Sequence, residues 1–266
     1  MRIAILGADG KMGRALVRAV VAAGPEAKLT AATERAGSPA LGADAGSAAT
    51  GQALGVAITA GVPATSAADV WIDFTVPAAT VAYTEAAVAA NAALVIGTTG
   101  LGAEQKAAIE RAAKKVPVVF SANYSVGVNV MLKLIADAAR TLGPSYDLEI
   151  VETHHRAKRD APSGTALRLA EALAEATGRD LAKEARYERH GEIGPRTQAE
   201  IGIQTLRGGD VIGDHTAHFM GIGDRIEITH RASSRDTFAV GAVRAALWLK
   251  GRTAGLYDMR AVLDLI

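Results

Sequence analysis

The run Glu152-Thr153-His154-His155-Arg156-Ala157-Lys158-Arg159-Asp160-Ala161-Pro162-Ser163-Gly164-Thr165 packs two histidines and three cations between a strand-like and a helix-like stretch. Imidazoles exchange protons near neutral pH, and a lysine supplies a compact positive charge or an acid. Pro162 and Ser163 are helix-start signals, so the amides of Gly164 and Thr165 are expected at a helix N-terminus, where carboxylates bind. This spacing suits a small dianion gripped by His, Lys and the helix end, with an imidazole to move a proton. A metal site is not expected. His154 and His155 are adjacent and face opposite ways in a strand, His215 and His218 diverge as well, and His190 and His230 fall in no ligand pattern.

A second constellation stands at the start of the chain. After the apolar run Arg2–Leu6 comes Gly7-Ala8-Asp9-Gly10-Lys11-Met12-Gly13, opening a helical stretch. Glycines let the backbone turn sharply and approach a pyrophosphate, which the helix end then holds. The spacing is G-x-x-G-x-x-G, not G-x-G-x-x-G, and Asp9 fills the usual second glycine's slot. Glu34, 21 residues after Gly13, has the spacing of a carboxylate that grips ribose hydroxyls. Arg35 beside it suits a 2′-phosphate, so NADH and NADPH both stay open as cofactors. Gly97-Thr98-Thr99-Gly100 and Ser121-Ala122-Asn123-Tyr124-Ser125 follow two further apolar runs. In open parallel sheets ligands gather at such strand ends, and small residues there would admit a nicotinamide and its ribose.

The elements that must position these groups fall into two patterns. Strands are expected at Arg2–Leu6, Leu29–Thr33, Val70–Phe74, Leu94–Gly97 and Val118–Ser121, and helices at Met12–Ala23, Ala78–Ala90 and Ala103–Ala113. That alternation predicts a parallel sheet covered on both faces. Ala36–Gly55, rich in Gly, Ala and Ser, reads as a long loop. Beyond Asn123 the spacing predicts a helix over Val126–Leu142, a strand at Leu148–Thr153 and a helix over Thr165–Thr177 stopped by Gly178. Strands at Ile201–Leu206, Val211–Met220 and Arg225–Arg231 follow, turning at Gly208-Gly209 and Gly221–Asp224, as in an antiparallel or mixed sheet. A last helix spans Thr237–Lys250. The expected fold class is α/β: a Rossmann-type parallel-sheet domain (1–124 with 235–266) and an α+β domain with a mixed or antiparallel sheet (125–234) for substrate binding. Closure of the two about segments near Asn123 and Arg235 is also expected, since hydride transfer benefits from excluding water.

Composition narrows the field. At 266 residues, 49% apolar and 21% charged with net charge +1, the chain carries enough apolar material for a core, and neither nucleic acid nor a membrane surface is an expected partner. With no cysteine, thiolate metal sites and cysteine nucleophiles are excluded. Ile3–Leu6 is too short for a secretory signal and no run reaches a membrane span, so a cytoplasmic protein is expected.

Together these residues closely resemble the dihydrodipicolinate reductase (4-hydroxy-tetrahydrodipicolinate reductase) family of lysine and diaminopimelate synthesis, over nearly the whole chain. The most specific piece is His154–Thr165. Gly7–Gly13, Glu34-Arg35, Asp73-Phe74-Thr75, Gly97–Gly100 and Ala122–Ser125 support it. The resemblance implies cofactor contacts at Gly7, Ala8, Asp9, Gly10, Lys11, Met12, Glu34 and Arg35, and beside the nicotinamide at Gly97, Thr98, Thr99, Ala122, Asn123, Tyr124 and Ser125. It implies His154 as proton donor and acceptor, Lys158 as a second acid, and His155, Gly164 and Thr165 as contacts to the carboxylates of a small dicarboxylate. It also implies a homotetramer built around the second domain's sheet, and a last helix packed back on the first domain. Two other readings of the residues stay open: a related nicotinamide dehydrogenase of amino or imino acids, and a redox-sensing module without turnover, for which no DNA-binding arm is visible.

Overall fold

The computed structural model describes residues 1–265; Ile266, the end of the segment expected to return to the first domain, lies outside them. In chain order the elements begin β1 (Arg2–Leu6), α1 (Lys11–Ala22), β2 (Lys28–Glu34), α2 (Ala45–Thr50), β3 (Ile58–Ala60), β4 (Val70–Asp73), α3 (Pro77–Ala89), β5 (Ala93–Ile96), α4 (Ala103–Ala113) and β6 (Pro117–Phe120). Next come α5 (Val126–Leu142), β7 (Asp147–His154), α6 (Gly164–Thr177), α7 (Leu181–Glu184), β8 (Ala185–Arg186), β9 (Ile201–Arg207), β10 (Gly213–Met220) and β11 (Arg225–Ala232). The chain ends with α8 (Asp236–Trp248), β12 (Gly255–Tyr257) and α9 (Met259–Val262). Two compact units result, Met1–Val126 with Arg235–Ile266, and Gly127–Ser234.

The first unit is a seven-stranded sheet in the order β12-β6-β5-β4-β1-β2-β3, and every pairing is parallel. Its strands are apolar on both faces because helices cover both. Ile3, Ile5, Val70, Ile72 and Val95 pack on the side of α1 and α8, and Ala4, Leu6, Trp71, Leu94 and Ile96 on the side of α3 and α4. Successive side chains alternate between these two cores, as the strand period requires. The expected loop over Ala36–Gly55 is corrected by α2: Asp44 accepts from the Gly46, Ser47 and Leu54 amides with one oxygen and from Val56 with the other. The Leu54 amide first, with those of Ser47, Val56 and Gly55, holds its carboxyl at about 2 against burial. A six-residue helix of small residues has too little apolar period to announce itself.

The second unit is a five-stranded sheet ordered β11-β10-β7-β9-β8. β10 is antiparallel to β7 and β11, whereas β9 is parallel to β7 and β8, so the sheet is mixed. Helix α6 covers one face through Leu169 and Leu173 over Leu148, Ile150, Ala217 and Phe219. The segment before β9 is pinned by charge: Arg189 spans Glu149 and Glu200 at 2.7 Å each, and Arg196 donates to Glu149 at 3.1 Å and Asp147 at 2.8 Å. Gly202 makes room for this cluster, since a Cβ there would sit 1.8 Å from Glu149 Oε2.

Helix α8 belongs to the first unit, and its closest approach is at Gly241, where a Cβ would lie 1.7 Å from the Tyr124 carbonyl oxygen. Backbone cannot step aside as a flexible side chain can, so Gly241→Ala is expected to destabilise this unit by about 2–3 kcal/mol. Both tryptophans, Trp71 and Trp248, lie in that unit. Their fluorescence in a urea titration measures the loss, and an unchanged midpoint would refute the packing argument.

Candidate active site

β7 builds the densest part of the site by strand alternation. Leu148, Ile150, Glu152 and His154 share its buried face, so the apolar stripe under α6 turns ionisable just before the strand ends. Glu152 has no solvent exposure. It accepts from Arg207 through both oxygens at 2.8 Å, from the Ser163 amide at 2.9 Å and from Thr205 Oγ1 at 3.3 Å, and it lies 2.6 Å from His154 Nδ1. Burial pushes its pKa up, but the donors, Arg207 first, outweigh burial and hold the carboxyl at about 2. An ionised carboxylate only accepts, so His154 carries its hydrogen on Nδ1 and presents Nε2 as the open atom. Nε2 lies beside Gly213, where an added Cβ would come within 3.0 Å. Burial lowers the pKa of His154 against the raising pull of Glu152, with Lys158 and Arg207 adding to the lowering.

Across the sheet His215 pairs in register with Glu152. Its ring stands edge-on to His154 with centroids 5.2 Å apart, and its Nε2 is 3.1 Å from Ser163 Oγ. Ser163 is the N-cap of α6, accepting from the Ala166 amide at 3.1 Å. Helix α6 thus starts at Gly164, one residue before the expected position, because the Ser163 hydroxyl closes its first turn. Gly164 is exposed, with nothing within 4 Å of where a Cβ would stand.

The bend after β7 is tied to the β9–β10 turn: the His155 amide donates to Val211 O at 2.7 Å and the Arg156 amide to Gly209 O at 3.2 Å. Lys158 pairs with exposed Asp160 at 2.9 Å, and Arg207 reaches the Asp160 carbonyl. His154, His155, Lys158, Gly164 and Thr165 therefore belong to one bend and the helix it feeds. Glu152, Arg207 and His215 complete it and are absent from the expected site, while Ser163, expected as a helix-start signal, caps α6. The signal for Glu152 and His215 was period two: Glu152 continues the Leu148-Ile150 face, and His215 the Ala217-Phe219 face. Nothing local in the sequence pointed to Arg207.

In the first unit, Gly7 adopts φ +70, and Gly13 lies so close to the loop that a Cβ would fall 2.0 Å from Gly7 O. Helix α1 starts at this turn with Gly10 as N-cap, no side-chain cap and no acidic residue in its first turn. A glycine cradle at an uncapped helix end fits the phosphates of a dinucleotide. Glu34 accepts from the Asp9 amide and from the Arg35 amide, each at 3.1 Å, which sets its carboxylate beside the turn, and Arg35 is exposed. Asp9 is engaged by Arg14 at 2.7 Å. Buried Thr98 donates to Asp73 at 3.2 Å, Thr99 is exposed, and the Ser125 amide donates to Asn123 Oδ1 at 2.8 Å. Tyr124 faces inward, its hydroxyl donating to Ile96 O and Val119 O; its side chain braces strand ends, and Ala122 beside it is exposed.

Burial, and then the nearby His154, lower the pKa of His215 from 6.5 to about 4. Between those values the unfolded chain binds a proton that the folded chain refuses, so the contribution of His215 to stability is present above pH 6.5 and is lost as pH falls toward 4. The loss is about 3 kcal/mol at full protonation. His215→Asn is expected to flatten this part of the pH dependence in calorimetric unfolding; a wild-type slope in the variant would show that His215 is not its source.

The described chain contains no helix long and apolar enough to cross a membrane. Residues 1–124 match the family described as dihydrodipicolinate reductase, N-terminus, and residues 127–263 its C-terminus. The 4-hydroxy-tetrahydrodipicolinate reductase of Pseudomonas fluorescens (strain SBW25) is 56% identical over 265 residues, covering 99% of each chain. That of Burkholderia thailandensis is 53% identical over 266 residues, covering 100% of this chain and 98% of the relative. The solved structure of a dipicolinate-bound dihydrodipicolinate reductase from Paenisporosarcina sp. TG-14 superposes with a TM-score of 0.75 at 26% identity, covering 97% of both chains. With both halves matched and over half the residues shared with full-length relatives, the chain belongs to the dihydrodipicolinate reductase family, oxidoreductases of lysine and diaminopimelate synthesis.

Proposed function

We propose that this chain reduces (2S,4S)-4-hydroxy-2,3,4,5-tetrahydrodipicolinate to tetrahydrodipicolinate with NADH or NADPH, His154 serving as proton donor and acceptor and Lys158 as a second proton donor. One observation carries this reading: His154 Nδ1 rests on a buried, ionised Glu152 in the same bend as Lys158 and the N-terminus of α6. The names of its relatives and the dipicolinate bound to the Paenisporosarcina enzyme support the substrate class.

The two substrate carboxylates go to His155, Lys158, Gly164 and Thr165, with Lys158 exchanging its exposed partner Asp160 for the ligand. A bound nicotinamide supplies the hydride. Gly7, Ala8, Asp9, Gly10, Lys11 and Met12 would hold its pyrophosphate, Glu34 a ribose, and Arg35 a 2′-phosphate when present. Gly97, Thr98, Thr99, Ala122, Asn123, Tyr124 and Ser125 would shape the nicotinamide end. Reduction of a conjugated imine leaves electron density on the neighbouring carbon, which takes up a proton. Burial lowers the pKa of His154 in the free protein against the raising pull of Glu152. A dianion beside it stabilises its protonated form, the form that donates from Nε2. Before the hydride arrives, Lys158 protonates the 4-hydroxyl, which leaves as water while the adjacent carbon gives up a proton to His154 Nε2; after the hydride arrives His154 returns a proton to that carbon. The second unit's sheet leaves Leu206 54%, Met220 37% and Ile226 41% exposed, apolar area that a homotetramer would cover.

The test supplies the product of pyruvate and aspartate-semialdehyde condensation and follows loss of NADH or NADPH absorbance; no consumption would end the proposal. His154→Gln is expected to lower turnover by about 10²–10⁴-fold at unchanged cofactor affinity. In wild type the high-pH loss of kcat should lie above that of kcat/KM, because only the complex carries the added negative charge. Coincident limbs, or turnover surviving in His154→Gln, would refute the assignment. Arg35→Ala is expected to weaken NADPH about tenfold more than NADH, the scale of one charge-assisted contact; equal losses would remove Arg35 from the 2′-phosphate.

A further inference from the structure

Asp73 ends β4 at the carboxyl edge of the parallel sheet, in register with Leu6 of β1 and Ile96 of β5. It is 1% exposed, and among the described residues no cation pairs with it. A carboxylate removed from water is costly unless donors replace the lost hydration, so its partners explain its place. Oδ1 collects three: the Thr75 amide at 2.9 Å, the Thr75 hydroxyl at 2.6 Å and the Thr98 hydroxyl at 3.2 Å. The Thr75 amide also reaches Thr98 Oγ1 at 3.1 Å, and the Asp73 carbonyl accepts from the Gly97 amide at 2.8 Å. Oδ2 is buried without a hydrogen-bond partner.

These bonds link loops that come from different strands. The Thr75 methyl lies where a Cβ on Gly7 would fall 2.9 Å from it, and the Phe74 ring lies 2.2 Å from where a Cβ on Gly97 would stand. Asp73 therefore sets the spacing between the glycine turn after β1 and the Gly97-Thr98 loop after β5. Three donors on one oxygen hold that geometry more tightly than packing of small residues would, since charge-assisted hydrogen bonds are directional and strong. We infer that Asp73 is a positioning residue for dinucleotide binding, acting through Thr75 and Thr98 to hold the pyrophosphate turn and the loop at the nicotinamide end in one arrangement. The inference rests on the dinucleotide reading of Gly7–Met12 and Gly97–Thr99 given above.

The test measures dissociation constants of NADH and NADPH by energy transfer from the protein's tryptophans, alongside steady-state kinetics. Asp73→Ala is expected to raise both constants, and the cofactor KM, about tenfold, the scale of losing a charged hydrogen-bond partner. NADH and NADPH should suffer alike, because none of these bonds involves Glu34 or Arg35, and KM for the dicarboxylate should stay within about twofold. Asp73→Asn keeps an acceptor oxygen and should recover most of the affinity. Thr75→Val keeps the methyl against Gly7 and removes only the hydroxyl. With Thr98→Val it serves if Asp73→Ala does not fold, each expected to raise the constants about threefold. Dissociation constants within twofold of wild type in these folded variants would overturn the inference. Failure of the wild-type protein to bind either dinucleotide would instead overturn the cofactor reading on which it rests.

Discussion

A negative charge shut away from water organises the second unit. Glu152 is stable there only because Arg207, the Ser163 amide and His154 surround it with donors, and removing any of them leaves a buried charge short of a partner. Each donor comes from a different place in the chain: Arg207 from the end of β9, Ser163 from the cap of α6, His154 from the last position of β7 itself. Satisfying one carboxylate therefore aligns the imidazole, the helix end and the strand that follows. The tautomer of His154 follows from the same bonds.

The first unit meets a similar constraint with space in place of charge. Gly7, Gly13, Gly97 and Gly241 each stand where a single added carbon would strike a neighbour, so strand ends and helix starts can approach one another along the sheet's carboxyl edge. Glycine supplies the approach, and polar side chains then hold it: Asp73 for the loops after β4 and β5, and the Tyr124 hydroxyl for the ends of β5 and β6. The backbone amides left at the start of α1 point to the chemistry of a phosphate for the same reason that the carboxyl end of a parallel sheet so often binds ligands.

Much of this was readable in advance, and the reasons are local. Parallel strands buried on both faces write continuous apolar runs, so β1, β4, β5 and β6 stand out, and α1, α5 and α6 carry helical period. The Gly7–Gly13 turn and the His154–Thr165 bend are contiguous in the chain, and the resemblance to a known family rests on them. Short elements escaped. The helix α2 is built of small residues and depends on the Asp44 cap and on contacts from Leu54 and Val56. β8 and β12 are edge strands of two and three residues, whose pairing is decided by the neighbour they meet.

The sequence by itself determined which groups are available and which lie close along the chain: the glycine turn with Glu34 one strand away, the histidine pair, Lys158 and the Ser163 cap. Local bonding sets those, because a turn or cap satisfies its own amides within a few residues. Only the tertiary structure decided that Glu152 is the partner of His154, that Arg207 keeps it ionised, that His215 closes on Ser163, and that Asp73 joins two loops. Those choices depend on which strands lie side by side, on β9 running parallel to β7 while β10 runs against it. A buried charge takes whatever donors that pairing brings within reach.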